Sequence, residues 1–171
     1  LFEGEQVTVS AGVPTVWQGL LAHVDANQLR FSTMKRTVIG GSACPPAMLR
    51  AFGERHGVHV LHAWGMTETS PLGTACTFKP KHLGASQEER YALMAKQGRA
   101  LYGVDMKAVD AAGNELPFGS PEQGELLVRG PWVLEHYFKD EGGNPLVKDA
   151  AGHSWFPTGD VATIDADGYM Q

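Results

Sequence analysis

The sequence predicts an α/β protein in two parts: residues 1–97 as part of a parallel-sheet α/β subdomain, and residues 98–171 as a small antiparallel, β-barrel-like subdomain. Three observations predict it. Composition is that of a globular chain with many turns, 43% hydrophobic and 19% charged with 21 glycines. Apolar strands and amphipathic helices alternate through the first part, the order that β-α-β units produce. After Gly98 the texture changes to short strands separated by turn clusters. A compact fold of this length buries roughly 70% of its unfolded surface, enough for a real core.

Gln6-Val7-Thr8-Val9-Ser10 alternates apolar and polar residues, the period of a strand. Val13, Val16, Trp17, Leu20, Leu21 and Val24 then share one stripe at helical spacing, with Pro14 suited to the first turn. Thr37-Val38-Ile39 is a short apolar strand running into Gly40-Gly41. Pro45-Pro46 opens a helix through Phe52 that Gly57 can end, and Val58-His59-Val60-Leu61 is the next strand. Strand, glycine loop, helix, strand is most economically a parallel pair, whose ligand sites lie at the carboxyl ends of the strands. Both Gly40-Gly41-Ser42 and the segment from Trp64 to Thr69 stand at such ends. Ser86-Gln87-Glu88-Glu89 is a capping-box pattern for a helix reaching about Gln97, with Gly98 as its stop. Beyond it, 104–109, 124–129 and 161–164 are strands, divided by turn clusters at 110–114, 118–122, 142–145 and 165–168.

Fourteen basic and nineteen acidic residues give a formal charge of −5, and no Lys/Arg stripe is present to neutralise a phosphate backbone. Nucleic acid is excluded as the main partner. Cys44 and Cys76 lack C-x-x-C spacing, which argues against a disulfide framework or zinc knuckle and fits a reducing cytoplasm. No apolar run approaches the roughly 20 residues that span a bilayer. His56, His59 and His62 recur every third residue, a hint of zinc, but strand residues i and i+3 face opposite sides. Asp165-Ala166-Asp167-Gly168 matches the opening of a calcium loop, whose later ligand positions fall beyond Gln171.

The chemistry concentrates in His62-Ala63-Trp64-Gly65-Met66-Thr67-Glu68-Thr69-Ser70 and, far downstream, Trp155-Phe156-Pro157-Thr158-Gly159-Asp160. An aromatic side chain, a glycine that lets backbone approach a ligand, a hydroxyl and a carboxylate follow a strand in an order that suits an adenine, a phosphate and a metal ion. Singly each has an ordinary structural reading: Trp64 as core, Glu68 as a solvated or capping carboxylate, Asp160 as a turn residue. Their order together carries the weight.

In that order the chain resembles the adenylate-forming superfamily, which includes acyl-CoA synthetases and the adenylation domains of nonribosomal peptide synthetases. The run from Trp64 to Thr74 is most similar to medium- and long-chain fatty acyl-CoA synthetases. Gly124 to Pro131, Tyr137-Phe138 and the Gly98-Arg99-Ala100 entry to the second part also resemble the family's pattern. The resemblance implies an aromatic against adenine at Trp64, where the family more often has tyrosine. It implies an α-phosphate contact from Thr67, magnesium held by Glu68, both ribose hydroxyls on Asp160, and Gly40, Gly41 and Ser42 along the adenine, with Gly65 and Met66 in the same nucleotide site. Thr67 and Glu68 are then the catalytic pair. Trp17, Met66, Pro71 and Leu72 occupy positions from which the family builds its acyl pocket; simple core packing is the plain alternative for the apolar helix. ATP/AMP, Mg2+ and coenzyme A are the implied cofactors and co-substrates, and a small carboxylic acid the implied substrate.

The resemblance also implies parts these residues do not contain: a Ser/Thr/Gly-rich loop ending in lysine for the β- and γ-phosphates, a hinge arginine, and a C-terminal domain with the adenylation lysine. With Leu1 at one end and a hairpin signal at the other, the expectation is a central fragment, inactive alone and prone to associate through cut strand edges as a homo-oligomer. Two rivals remain at this point. An aryl- or amino-acid-activating enzyme would be told apart by a substrate screen, and a non-catalytic scaffold by failure of the complete protein to bind ATP.

Overall fold

A computed structural model describes all residues from Leu1 to Gln171, and the backbone packs into two compact units. One comprises Leu1–Trp64 with Ala75–Gln97; the other comprises Gly65–Thr74 with Gly98–Gln171. The fold is mixed α/β, a parallel sheet in one unit and an antiparallel sheet in the other.

In the first unit β1 (Val9–Gly12), β2 (Arg36–Ile39) and β3 (His59–Trp64) lie side by side in parallel, with Ile39 paired to both Gly12 and His62. Helix α1 (Pro14–Ala26) carries the first connection, and α2 (Pro46–Arg50) the second, continuing as a wider helical turn through Arg55. Gly57, at φ +65°, ends that helix, as its place in the sequence suggests. The expected strand at 6–10 begins later, at Val9. Pairing starts only where Arg36 is available opposite, and the chain before it is wound into turns by Glu5 N–H to Leu1 O and Val7 N–H to Phe2 O. The apolar stripe of α1 is buried only in part: Trp17, Leu21 and Val24 enter the core, while Val16 stays exposed on the flank of the helix. Trp17 meets Phe52 edge-on at 5.5 Å, and Phe31, Met34, Ile39, Leu49 and Val60 complete this core.

Helix α3 (Gln87–Met94) starts with the predicted box: Ser86 Oγ accepts from Glu89 N–H, and Glu89 Oε2 accepts from Ser86 N–H. It stops at Met94, before Gln97, and side chains from elsewhere in the unit meet the carbonyls at its end. Cys76 Sγ–H donates to Leu93 O at 3.1 Å, and His62 Nδ1 lies 3.1 Å from Ala95 O. His62 is fully buried, and its Nε2 accepts from the Cys44 N–H at 3.2 Å. With Nε2 accepting, Nδ1 carries the proton and donates to Ala95. Burial lowers the pKa of this imidazole below the ordinary value, so the neutral ring joins β3, the loop after β2 and the end of α3. His62 is thus a structural residue of the first unit, and no group of three or more His, Cys, Asp or Glu is placed to hold a metal ion. Cys44 and Cys76 are free thiols, both buried, and burial pushes the Cys44 pKa up to about 12.

The chain passes through β4 (Thr74–Ala75) between the units. In the second unit, after the short β5 (Arg99–Ala100), strands β6 (Asp105–Val109), β7 (Glu115–Leu116), β8 (Gly124–Arg129), β9 (Val147–Lys148) and β10 (Ser154–Ala162) form an antiparallel sheet in the order β7-β6-β8-β10-β9. The strand expected at 161–164 is the tail of the longer β10; Ile164 instead makes an isolated bridge to Met170. Trp155 fixes one face of the sheet, with the Lys107 ammonium 4.2 Å and the Arg129 guanidinium 4.7 Å from its ring centroid. Lys107 is buried and paired with Asp149, whose carboxylate also accepts the Trp155 indole N–H at 2.8 Å. Asp165, the first residue of the calcium-loop pattern, spends Oδ1 on the Asp167 and Tyr169 N–H groups of its own hairpin turn. No helix is long and apolar enough to cross a membrane.

Candidate active site

The carboxyl edge of the parallel sheet places the first group of candidates. β2 runs out at Ile39 and β3 at Trp64 in adjacent parallel strands, so Gly40-Gly41-Ser42 and Trp64 leave the sheet at the same edge. Gly40 sits close against the neighbouring strand, since a Cβ there would stand 3.0 Å from the Ala63 carbonyl oxygen. Gly41 has φ +81°, a conformation that favours glycine, and a Cβ would meet Val13 at 3.0 Å. Ser42 is exposed and Trp64 half-buried. Trp17 lies deep in the core, 2% exposed.

The second group is a tight turn in the other unit. A Cβ on Gly65 would stand 1.8 Å from the Pro71 carbonyl oxygen, so the returning Pro71–Leu72 backbone occupies the space that any side chain would need. Thr69, fully buried, staples the turn: its Oγ1 accepts from Met66 N–H at 2.9 Å and has Met66 O and Pro71 O at 3.0 and 2.9 Å as acceptors for its one proton. Thr67 is exposed, and its hydroxyl makes no hydrogen bond to protein. Of the hydroxyls in Thr67-Glu68-Thr69, one is therefore spent on structure and the other is available to a ligand.

Glu68 is half-buried. Its backbone carbonyl accepts from Leu134 N–H at 2.8 Å and its Oε1 from the Tyr137 hydroxyl at 2.9 Å, while Oε2 makes no hydrogen bond. The Glu68 carboxylate holds the Tyr137 phenol protonated, raising its pKa. Nearby, Trp132 Nε1–H donates to Leu72 O at 3.1 Å and Leu101 N–H to Gly73 O at 3.1 Å. Met66 is half-buried, whereas Pro71 and Leu72 are exposed. A hard divalent cation wants oxygen ligands, and a carboxylate with one uncommitted oxygen, on the same one-turn helix as an uncommitted hydroxyl, supplies oxygens of that kind.

Asp160 belongs to the same unit as Glu68 and lies in a break of β10. Pro157 pairs with Leu127 and Val161 with Glu125, so Thr158-Gly159-Asp160 forms a bulge. Gly159 takes φ +77°, Thr158 Oγ1 donates to Leu126 O at 2.9 Å, and the same hydroxyl accepts from Asp160 N–H at 3.1 Å. Each residue of Thr-Gly-Asp has a distinct job: the threonine anchors the bulge, the glycine bends it, and the aspartate is presented at an exposed point.

Sequence reasoning did not single out Thr69, Trp132 or the role of Tyr137. Tyr137 stood in a run already matched to the family, but nothing local pairs it with a carboxylate 69 residues away. Thr67 and Thr69 are chemically alike, and only the fold ranks them.

One unit thus presents a glycine edge on a parallel sheet, and the other presents an acid from a bulge in an antiparallel sheet. Residues 1–138 match the AMP-binding enzyme family, and the chain belongs to that family of adenylate-forming enzymes. It is 51% identical over 96% of its length to a 3-methylmercaptopropionyl-CoA ligase from Ruegeria lacuscaerulensis, covering 30% of that protein. It is 46% identical over 99% of its length to a medium-chain-fatty-acid–CoA ligase from Ectopseudomonas oleovorans, again covering 30%. Among solved structures, a long-chain-fatty-acid-CoA ligase from Archaeoglobus fulgidus superposes with a TM-score of 0.80 at 26% identity, over 99% of this chain and 34% of that one. The chain thus spans about a third of the length of the relatives it matches.

Proposed function

We propose that the protein carrying this chain is an ATP-dependent fatty acid–CoA ligase. A carboxylate oxygen of the acid attacks the α-phosphorus of ATP, pyrophosphate leaves, and the thiol of coenzyme A then attacks the acyl carbonyl and displaces AMP. Gly40, Gly41, Ser42, Trp64, Gly65, Met66, Thr67 and Asp160 are the proposed nucleotide contacts, with Asp160 accepting from the ribose hydroxyls and Thr67 at the α-phosphate. Glu68 would hold Mg2+, which neutralises phosphate charge when bound. The observation that supports this best is the Glu68 carboxylate, fixed at one oxygen and uncommitted at the other, on the same one-turn helix as an uncommitted Thr67 hydroxyl.

In this reading residues 1–97 contribute the α/β part of the nucleotide-binding domain and residues 98–171 its small antiparallel subdomain. Met66, Pro71 and Leu72 have surface to offer an acyl chain; Trp17 contributes only through the wall it forms with its core neighbours. The buried free thiols support a reducing, cytoplasmic setting, and self-association through apolar strand edges is the proposed oligomeric contact.

The 171 residues alone contain no lysine-ended phosphate loop and are expected to release no pyrophosphate above background from fatty acid, ATP and Mg2+. In the complete protein, Glu68→Gln is expected to lower acid-dependent pyrophosphate release by about 100-fold or more, the scale for losing one preorganised electrostatic group. Unchanged turnover in that variant would remove Glu68 from the mechanism. The 51% identity to a ligase for 3-methylmercaptopropionate favours a second reading of the substrate, a short thioether acid. A screen of kcat/KM across that acid and straight-chain acids decides, because each methylene in an apolar pocket is worth about 10- to 200-fold.

A further inference from the structure

The turn that carries Glu68 has little freedom left. Leu134 N–H holds the Glu68 carbonyl, Trp132 Nε1–H the Leu72 carbonyl and Leu101 N–H the Gly73 carbonyl, while Thr69 staples Met66 to Pro71 from within. What these tethers do not fix is the Glu68 side chain, a flexible acid with a rotamer entropy to lose on binding. Its one hydrogen bond to protein runs from the Tyr137 hydroxyl to Oε1.

We propose that Tyr137 is a positioning residue: it fixes Oε1 of Glu68 so that Oε2 is the oxygen presented to the divalent cation on the nucleotide's phosphates. The inference rests on the reading of Glu68 as the cation-holding carboxylate. Three features point this way. Tyr137 is an exposed residue, 37% accessible and outside the buried core, and its hydroxyl is spent on a carboxylate 69 positions away. A phenol is a neutral donor: it orients the carboxylate without placing a positive charge against the incoming cation, as Lys or Arg would. And the oxygen left open shares its one-turn helix with the uncommitted Thr67 hydroxyl. Groups that orient a metal-holding side chain in this manner typically change metal affinity by about 10- to 100-fold.

The test uses the complete protein with Mn2+ as a paramagnetic probe. Mn2+ affinity is measured in the presence of ATP, and AMP affinity separately without metal. Tyr137→Phe keeps the ring and removes the donor; it is expected to weaken Mn2+ binding about 10- to 100-fold while leaving metal-free AMP affinity within about twofold. In a Glu68→Gln background the same change is expected to have no further effect on Mn2+. Equal loss of Mn2+ and AMP affinity would show a merely structural tyrosine and overturn the proposal, as would unchanged Mn2+ binding. If Glu68→Gln itself leaves Mn2+ binding intact, the reading of Glu68 fails; if it abolishes binding while Tyr137→Phe is silent, only the role of Tyr137 fails. Should the phenylalanine variant not fold, Tyr137→Gln retains a neutral donor and is expected to keep more Mn2+ affinity than Tyr137→Ala; equal losses would count against the proposal.

Discussion

Replacing Gly65 with alanine is expected to destabilise the second unit by about 3 kcal/mol and to cut the activity of the complete protein about 100-fold. The added methyl would lie 1.8 Å from the Pro71 carbonyl oxygen and 2.8 Å from Leu72 Cα. Both are backbone atoms, so no rotamer change relieves the overlap, and strain of this kind reaches the upper end of overpacking costs. The turn must open, and the residues displaced are those flanking Thr67 and Glu68; a shift of about 1 Å in positioning groups costs on the order of 100-fold in rate. Denaturant midpoints at unchanged slope give the stability change, and pyrophosphate release gives the rate. Gly19→Ala serves as the control. Gly19 is exposed in α1 with nothing within 4 Å of its would-be Cβ, so alanine is expected to raise stability by up to about 1 kcal/mol through helix propensity. A Gly65→Ala protein as stable as wild type would show that the close approach of Pro71 is not required.

His62→Ala is expected to destabilise the first unit by about 4 kcal/mol. It leaves the buried Cys44 N–H without its partner, a loss of about 1 to 3 kcal/mol, takes the donor from the part-buried Ala95 carbonyl, and opens a cavity besides. The histidine also gives the fold a dependence on pH whose sign follows from burial. Its native pKa is lowered, so the unfolded chain binds the proton more readily than the folded one. Stability from this group is therefore fully present above the ordinary imidazole pKa of 6.5 and is lost as pH falls below it. His56 and His59 are shifted in the same direction, each chiefly by burial, so the signature is the difference between wild type and variant. Unfolding measured from pH 8 to pH 5 is expected to show a steeper acid decline in the wild type than in His62→Ala. Parallel curves would mean that the ring is not held neutral in the fold.

His62 also marks where sequence reasoning stops. Its spacing from His56 and His59 drew attention to a metal, and the alternation of strand faces argued against one, yet neither pointed to Ala95 as its partner. The two ends of α3 differ in the same way: capping by Ser86 and Glu89 is local and visible, whereas the carbonyls at its other end are met by His62 of β3 and by Cys76 just after β4, which only folding brings near. Gly57 and Gly98 were legible as helix stops because a positive φ is a property of one residue. Gly65 was legible as a glycine that matters, but its cause is its own chain returning at Pro71, not only a ligand's approach.

By itself the sequence determined the alternation of strands and helices in the first part, the change to an antiparallel sheet in the second, and membership in a family whose order of hydroxyl, carboxylate and distant aspartate it carries. The first two follow from periodicity and turn chemistry, which act over a few residues at a time; the third rests on the resemblance of those ordered motifs to a known family and on the family match of residues 1–138. Only the tertiary structure decided that Thr69 is a staple and Thr67 uncommitted, that Tyr137 holds one oxygen of Glu68, and that Asp160 rides on a bulge anchored by Thr158. Those facts are pairings between groups far apart in the chain. A donor's partner is set by which acceptor the packed backbone brings within about 3 Å, and no local pattern encodes that.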